Sequence, residues 1–331
     1  MSSYKIITTR TPLRITFTGG GTDIPAYYRK YGPGAVVSAT INKYIYVTVA
    51  KNFYRDEIRV SYSKTENAIK DVDKIEHPTV REALKLLDIK SGIQIVSITE
   101  IPSRGTGLGS SSSFLVGLLN ALHAWKGEAV SPRQLAEEAV KIEREILKEP
   151  GGKQDQYMAA FGGIQLMEFF PDENVSLKKF QLKKCNKSFF NENFILLYTG
   201  IERDGTKIHS VQRNYVDNKL KEYTEAKNFA YNLFSKFKKC DFNDVGKIMH
   251  ENWMLKKNFS PGISNEILDN IYELALKSGA SGGKLQGAGG GGFYLFQIKD
   301  KKKFMDLLSE YITLEFKIDE SGSKITYKEF D

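Results

Sequence analysis

Cysteine is nearly missing: Cys185 and Cys240 are the only two in 331 residues. Two thiols make neither a disulfide framework nor a multi-cysteine zinc site, and they read as small buried hydrophobes in a reducing compartment. Histidine is scarce, four in all, which argues against a transition-metal centre. No apolar run approaches the roughly 18–20 residues that span a bilayer. The longest candidate, 114–125, contains Asn120 and His123. Residues 1–10 lack the apolar core of a secretory signal, so a cytoplasmic protein is expected. No Gly-Lys-Ser/Thr closes a Walker A loop, and the His-Arg-Asp and Asp-Phe-Gly signatures of protein kinases are missing.

What is present is ordinary globular material, 41% hydrophobic and 27% charged, which excludes a mostly disordered chain. The length points to two domains. The net charge of +8 favours anionic partners such as nucleotides or sugar phosphates. The lysine clusters at 183–184, 236–239 and 301–303 read as solvated faces. None interleaves with aromatics as a nucleic-acid surface would, so neither nucleic acid nor membrane is expected as a partner. Oligomeric state is open.

Strand-like segments at 6–9, 13–17, 35–50, 58–62 and 92–99 dominate the first half. A short helix is predicted at 78–88, an apolar segment at 114–125 and a helix from Ser131-Pro132 to about Lys148, where Pro150-Gly151-Gly152 stops it. A strand follows at 163–169. Helical periodicity marks 218–238, 241–257 and 264–278, then a strand at 293–298, a helix at 301–311 and strands at 314–318 and 324–330. Mixed strands and helices in both halves predict an α+β architecture in packed layers. The boundary is expected near 185–193, giving domains of 1–188 and 189–331.

Four motifs carry chemistry. Pro102 to Ser113, reading PSRGTGLGSSSS, links a predicted strand to a predicted helix. Helix N-termini expose unpaired N–H groups and partial positive charge, so they bind phosphate. Gly105, Gly107 and Gly109 let backbone approach an anion, and Ser110 to Ser113 offer hydroxyls to phosphate or magnesium. A flexible linker with an N-cap is the plain alternative. The second motif, Gly282 to Gly292, holds four consecutive glycines before a strand, which suggests close approach of a ligand or another backbone. The third pairs Glu143 with Asp155 across the glycine turn of PGGKQDQ, 150–156. One carboxylate would hold magnesium and the other would orient or deprotonate a hydroxyl; solvated helix-face carboxylates are the alternative. The fourth, Thr11 to Asp23, ends a strand in three glycines and Thr-Asp. Asp23 is suited to a polyol, with an Asx turn as the alternative, and Arg14 inside the strand requires an anionic partner. Lys153 and Arg104, beside the loops, read as phosphate contacts.

Together and in this order the four segments resemble the GHMP small-molecule kinases across nearly the whole chain. Within them, TGGGTDIP (18–25), GLGSSSS (107–113) and PGGKQDQ (150–156) are most similar to the D-glycero-D-manno-heptose 7-phosphate kinases and related fucokinase domains. The resemblance implies a two-domain fold, the N-terminal half like domain 2 of ribosomal protein S5 and the C-terminal half ferredoxin-like, with the active site between them. It implies ATP bound at Gly105, Gly107, Leu108, Gly109, Ser110, Ser111 and Ser112. Magnesium would sit on Ser110 or Ser111 with Glu143. Asp155 and Arg14 would be catalytic, and Gly20, Gly21, Thr22, Asp23 and Lys153 would meet the substrate. Gly287, Gly289, Gly290 and Gly291 would support the phosphate loop. Galactokinases carry Glu-His where this chain has Gly20-Gly21, a departure that makes room for a larger or phosphorylated sugar. The implied reaction is transfer of the ATP γ-phosphoryl group to the anomeric hydroxyl of heptose 7-phosphate. Another sugar such as fucose, an isoprenoid or amino-acid acceptor, and a non-catalytic sugar sensor or RNA binder on the same fold are the alternatives.

Overall fold

The computed structural model describes residues 4–102, 105–202 and 205–330. The first half is built on two long antiparallel strands, β1 (Tyr4–Thr18) and β2 (Gly34–Lys51), connected through helix α1 (Pro25–Tyr31). β1 pairs with β2 from Ile6↔Ala50 to Thr18↔Val37, with irregularities after Pro12 and after Thr16. Proline donates no backbone hydrogen bond, so the ladder slips there. The two strand-like segments at 6–9 and 13–17 are therefore one bent strand. Next come β3 (Ile58–Ser61), β4 (Thr65–Ile69), α2 (Pro78–Leu86) and β5 (Ile93–Thr99).

Helix α3 (Ser110–Trp125) is buried along nearly its whole length. It lies so close to the strands that the Thr9 hydroxyl donates to the Gly117 carbonyl at 2.9 Å. Helix α4 (Pro132–Val140) starts as its sequence dictates: Ser131 accepts from the Gln134 N–H at 3.1 Å, and proline occupies the first turn. The single helix expected to run to Lys148 instead widens into a π-type turn, Lys141–Ile146. Helix α5 (Gln154–Phe161) and strands β6 (Ile164–Phe169) and β7 (Val175–Phe180) complete this half. β2 is long enough to serve two neighbours, β6 along its first residues and β5 along its last.

The second half contains α6 (Lys184–Glu192), β8 (Phe194–Tyr198), α7 (Gly205–Gln212), α8 (Leu220–Lys238), α9 (Val245–Lys257) and α10 (Glu266–Lys277). It ends with β9 (Ala280–Leu285), β10 (Phe293–Ile298), α11 (Lys301–Leu307), β11 (Thr313–Leu314) and β12 (Lys324–Phe330). Strands β8 to β11 form an antiparallel sheet in the order β11-β8-β10-β9. That is the 4-1-3-2 order of a ferredoxin-like unit. The glycine stretch from 282 is not all loop, since Gly282 and Gly283 lie within β9. β12 leaves this sheet and pairs with β1, so the last strand of the chain belongs to the first sheet.

The halves share a core. Phe17 of β1 packs edge-on against Phe190, Phe194 and Phe237, with ring centroids 5.5–6.0 Å apart. Each such aromatic pair adds about 0.5–1.5 kcal/mol beyond area burial. Cys240, expected as a buried hydrophobe, is exposed. It follows the end of α8 at φ 54°, a turn position outside the core. Among the described residues no helix is long and apolar enough to cross a membrane.

At the far end of α3, His123 is buried between two carboxylates, its ring nitrogens 2.7 Å from Glu128 and Glu138. Burial works against the imidazolium, but the hydrogen bonds to Glu138 and Glu128 outweigh it and raise the His123 pKa, while both carboxyls are lowered. A raised imidazole stabilises the fold fully below its unfolded pKa of about 6.5 and loses that contribution as pH rises through the folded value. The lowered carboxyls set the acid limit, since their share is lost as pH falls below about 4.3. The difference in unfolding midpoint between the native chain and His123→Gln should be largest at pH 5–6, and should shrink steadily towards pH 9. A difference independent of pH would show the imidazole to be neutral.

Candidate active site

The site begins with a charge placed in a strand. Arg14 sits on β1 just beyond the slip at Pro12, where its backbone N–H is free of β2 and donates to Leu108 O at 3.0 Å. Its guanidinium grips Asp155, at the start of α5, by two parallel bonds: Nε to Oδ1 and Nη2 to Oδ2, both 2.8 Å. Nη1 donates to the Gly107 carbonyl. The arginine side chain is 4% exposed and the carboxylate 22%. Such fork-on-fork pairs are the strongest ion pairs proteins make and fix orientation as well as charge. Gly109, at φ +77°, lies directly over the pair. A Cβ there would stand 3.2 Å from Arg14 Cγ and 3.3 Å from Asp155 Oδ2, so glycine is needed for the backbone to pass.

Gly109 is also the N-cap of α3, and no side chain caps that helix. Its first N–H groups therefore remain available to an anion, beside the positive-φ turns at Gly105 and Gly107. This geometry fits a polyphosphate. Leu108 contributes its carbonyl to Arg14 and buries its side chain. Arg104 lies outside the described residues.

The serine hydroxyls divide their roles. Ser110 Oγ is 3.3 Å from Thr106 Oγ1, and Ser111 is exposed. Ser112, rather than Ser110 or Ser111, meets Glu143: its Oγ donates to Glu143 Oε2 at 2.8 Å. The Gln156 amide donates to the same oxygen, and Gln156 Oε1 is buried without a partner. Glu143 itself is 1% exposed. A buried carboxylate beside a hydroxyl and an orphaned amide oxygen is a hard-oxygen set suited to magnesium. No group of three or more His, Cys, Asp or Glu among the described residues could hold a metal by itself, so phosphate and water would supply the other ligands. The π-type turn makes this possible. Such turns often occur at functional sites, and here the turn carries Glu143 to Ser112 and Arg144 towards the glycine turn, where Arg144 Nε donates to Gly152 O at 2.9 Å.

Asp23 lies opposite the glycine turn. Its Oδ1 accepts the Gly21 N–H at 3.1 Å, and Oδ2 would be 1.7 Å from a Cβ at position 152. Only glycine at 152 lets the two loops meet. Burial, then the charge of Asp155, push the Asp23 carboxyl above the usual range. One pocket is lined by Asp23, Asp155, Arg14, Gly21, Gly152 and Gln154 from the first half, with Arg144. His209 and Gln212 of α7, Lys256 of α9 and Gly287 close it from the second half.

Two residues expected at the substrate lie elsewhere. The Thr22 hydroxyl is buried and bonded to Gly19 O and Ala35 O, at 2.8 and 3.0 Å, so it ties the turn together. Lys153 turns away, its ammonium held by Glu173 and lying over the Tyr28 ring. Glu173 attracts it because bonds from Arg29, Lys153 and Tyr28 overcome the opposing effect of burial and lower that carboxyl to about 2. A Cβ on Gly20 would make ordinary contacts, 3.5 Å to Thr16 Cγ2 and 3.9 Å to Lys256 Nζ. In the late glycine loop, Gly290 N–H donates to Ile263 O and Gly292 N–H to Ile201 O, while Phe293 N–H donates to Thr106 O at 3.1 Å. Gly289 and Gly291 press against Ile263 and Ile201. The loop thus reaches the phosphate loop at its last residue, and Gly287 faces the pocket.

Sequence reasoning missed Arg144, Gln154, His209, Gln212, Lys256 and Gln286. Gln286 Oε1 accepts the Thr16 N–H at 2.7 Å and Nε2 donates to Thr16 O at 3.2 Å, so an amide replaces a strand at the edge of β1. Gln286 and Gln154 lie inside recognised motifs, and that adjacency was the available signal. The α7 and α9 residues had none.

Family models for the GHMP kinases N terminal domain and the GHMP kinases C terminal match residues 77–163 and 233–305. The chain is 33% identical to a D-glycero-alpha-D-manno-heptose 7-phosphate kinase of Campylobacter jejuni, over 91% of each. It is 26% identical to an L-fucokinase/L-fucose-1-P guanylyltransferase of Bacteroides fragilis, over 90% of this chain but 35% of that protein. A crystal structure of a D-glycero-D-manno-heptose 1-phosphate kinase from Bacteroides thetaiotaomicron superposes with a TM-score of 0.82 at 23% identity, over 98% of this chain and 100% of that one.

Close to the site, Lys284 of β9 is fully buried, and its ammonium donates to Leu285 O at 3.2 Å. Burial, then the charges of Lys256 and Arg14, lower its pKa well below the ordinary value. Keeping the amine neutral destabilises the fold at any pH below the unfolded value of about 10.4. Lys284→Met should therefore melt above the native chain at pH 7, each kcal/mol raising the midpoint by about 2–4 °C. The gain should shrink towards pH 10; a lower midpoint at pH 7 would reveal a structural role for the amine.

Proposed function

The chain belongs to the GHMP kinase family, and from that premise we propose that it phosphorylates D-glycero-D-manno-heptose 7-phosphate at the anomeric hydroxyl, using ATP. It is an ATP-dependent small-molecule kinase, and its place among GHMP sugar kinases rests on the heptose phosphate relative. The observation that carries the acceptor chemistry is the Arg14–Asp155 pair on the wall of a pocket that also holds Asp23. The seven-carbon acceptor is supported by the relative at 33% identity, and by the basic character that Arg144 and Lys256 give the pocket.

Phosphoryl transfer proceeds through a loose transition state, so the protein's task is positioning and charge neutralisation. Asp155, locked by Arg14, orients the acceptor hydroxyl and takes its proton. Arg14 spans Asp155 and the Gly107 carbonyl, and so places positive charge beside the phosphate loop. The first turn of α3 directs its N–H groups at the phosphates. Asp23 accepts hydrogen bonds from the sugar hydroxyls. Glu143 with Ser112, and Ser110 and Ser111 on the same turn, would hold magnesium, which would supply charge neutralisation. The fucokinase relative favours a second reading, in which the acceptor is an unphosphorylated hexose such as L-fucose.

ADP release with Mg-ATP is to be measured against heptose 7-phosphate, the unphosphorylated heptose, fucose, galactose and mevalonate. Turnover should be confined to the heptose phosphate; turnover with fucose alone would replace the first reading by the second. Asp155→Asn keeps the shape of the pair and should lower kcat by about 10²–10⁴ with ATP affinity intact. Turnover within about threefold of the native enzyme would remove Asp155 from the mechanism.

A further inference from the structure

Gln212, the last residue of α7, is 1% exposed and faces the pocket. Its amide makes no well-aligned hydrogen bond among the described residues, with Nε2 and Oε1 both buried, and its polar neighbour is the Tyr223 hydroxyl. The Tyr223 hydroxyl bonds weakly to this amide and has no well-aligned hydrogen bond of its own, so the pair leaves most of the amide's bonding capacity unused. The amide is held from behind. A Cβ on Gly21 would stand 2.8 Å from Gln212 Nε2 and 3.0 Å from the Phe259 ring, and Phe259 stacks on Tyr223 at 4.0 Å between centroids. Buried polar groups are almost always paired. One left with unused bonding capacity at the wall of a substrate pocket is matched to something that arrives.

We propose that Gln212 determines acceptor specificity by hydrogen-bonding ring hydroxyls of the sugar. A neutral amide presents one acceptor and two donors, the complement of vicinal hydroxyls, whereas phosphate is drawn to the cationic groups nearby. This rests on the kinase reading above. It adds that the second half of the chain, through α7, joins Asp23 in reading the acceptor, while Asp155 of the first half activates it. Gly21 then has a specific purpose, which is to leave room for the amide.

The test compares the native enzyme with Gln212→Met, which keeps the length and removes the amide. The acceptors are heptose 7-phosphate and its analogues lacking the 2-, 3- or 4-hydroxyl. A site built to bond a hydroxyl rejects the analogue lacking it by about 10⁴–10⁵. The native enzyme should therefore reject at least one analogue strongly. Gln212→Met should lose at least about 100-fold in kcat/KM for the parent acceptor, keep its KM for ATP, and no longer distinguish that analogue. Unchanged acceptor kinetics or undiminished discrimination would overturn the proposal. Melting gives a second readout. Replacing both members of a buried polar pair by apolar groups is neutral or stabilising, so Gln212→Met combined with Tyr223→Phe should melt at or above the native chain; a lower midpoint would make the amide structural and overturn the proposal. Should the native enzyme use a different sugar, the heptose reading fails, and the same comparison with that sugar's deoxy analogues decides the role of Gln212. Should it use none of them, the melting comparison alone decides.

Discussion

The doubly bonded pair of Arg14 and Asp155 is the constraint on which the rest of the site depends. An arginine cannot be left unpaired inside a strand, because its charge cannot be removed and its desolvation must be compensated. Two stretches of chain meet to satisfy it: Asp155 at the start of α5 supplies the carboxylate, and the loop before α3 supplies the Gly107 carbonyl to the guanidinium and the Leu108 carbonyl to the backbone N–H. The glycine-serine loop is therefore held against the Asp155 carboxylate by the same side chain that orients that carboxylate. Gly109 closes over the pair at a positive φ, where any side chain would be strained and would crowd both Arg14 and Asp155.

The two halves are joined by means that keep the cleft rigid. Gln286 completes the hydrogen bonding of Thr16 where β1 has no strand on the side away from β2. Asn252 Oδ1 accepts the Gly19 N–H at 3.2 Å, and the Phe17 cluster fills the space behind. β12 returns to the first sheet and ties the end of the chain to its beginning. A site assembled from both halves needs this, since phosphoryl transfer tolerates little misplacement of donor and acceptor.

Much was legible in the sequence. The strand at 293–298 and the strand at 324–330 match their observed bounds, and the main helices differ by a few residues at their ends. Glycine runs, serine hydroxyls and the carboxylates at 23, 143 and 155 announced themselves because their chemistry is local: a turn, a helix start, a charged side chain. The π-type turn was not legible, since one widened turn leaves the spacing of apolar residues almost unaltered. Lys153 shows the converse failure. A basic residue beside a phosphate loop looks like a ligand, but the side chain follows the stronger field of Glu173, twenty residues away.

By itself the sequence determined the kinds of groups present and their order: a charged strand, a glycine-to-helix junction, a glycine turn between two carboxylates and a late glycine run. Tertiary structure alone decided which of them face one another. Ser112 rather than its neighbours meets Glu143, Thr22 ties a turn, and Gln212 and Lys256 arrive from helices whose sequences carry no motif. The physical reason is that spacing along the chain specifies local geometry, whereas pairing across a cleft is specified by which buried charges and amides find partners once the strands and helices have packed.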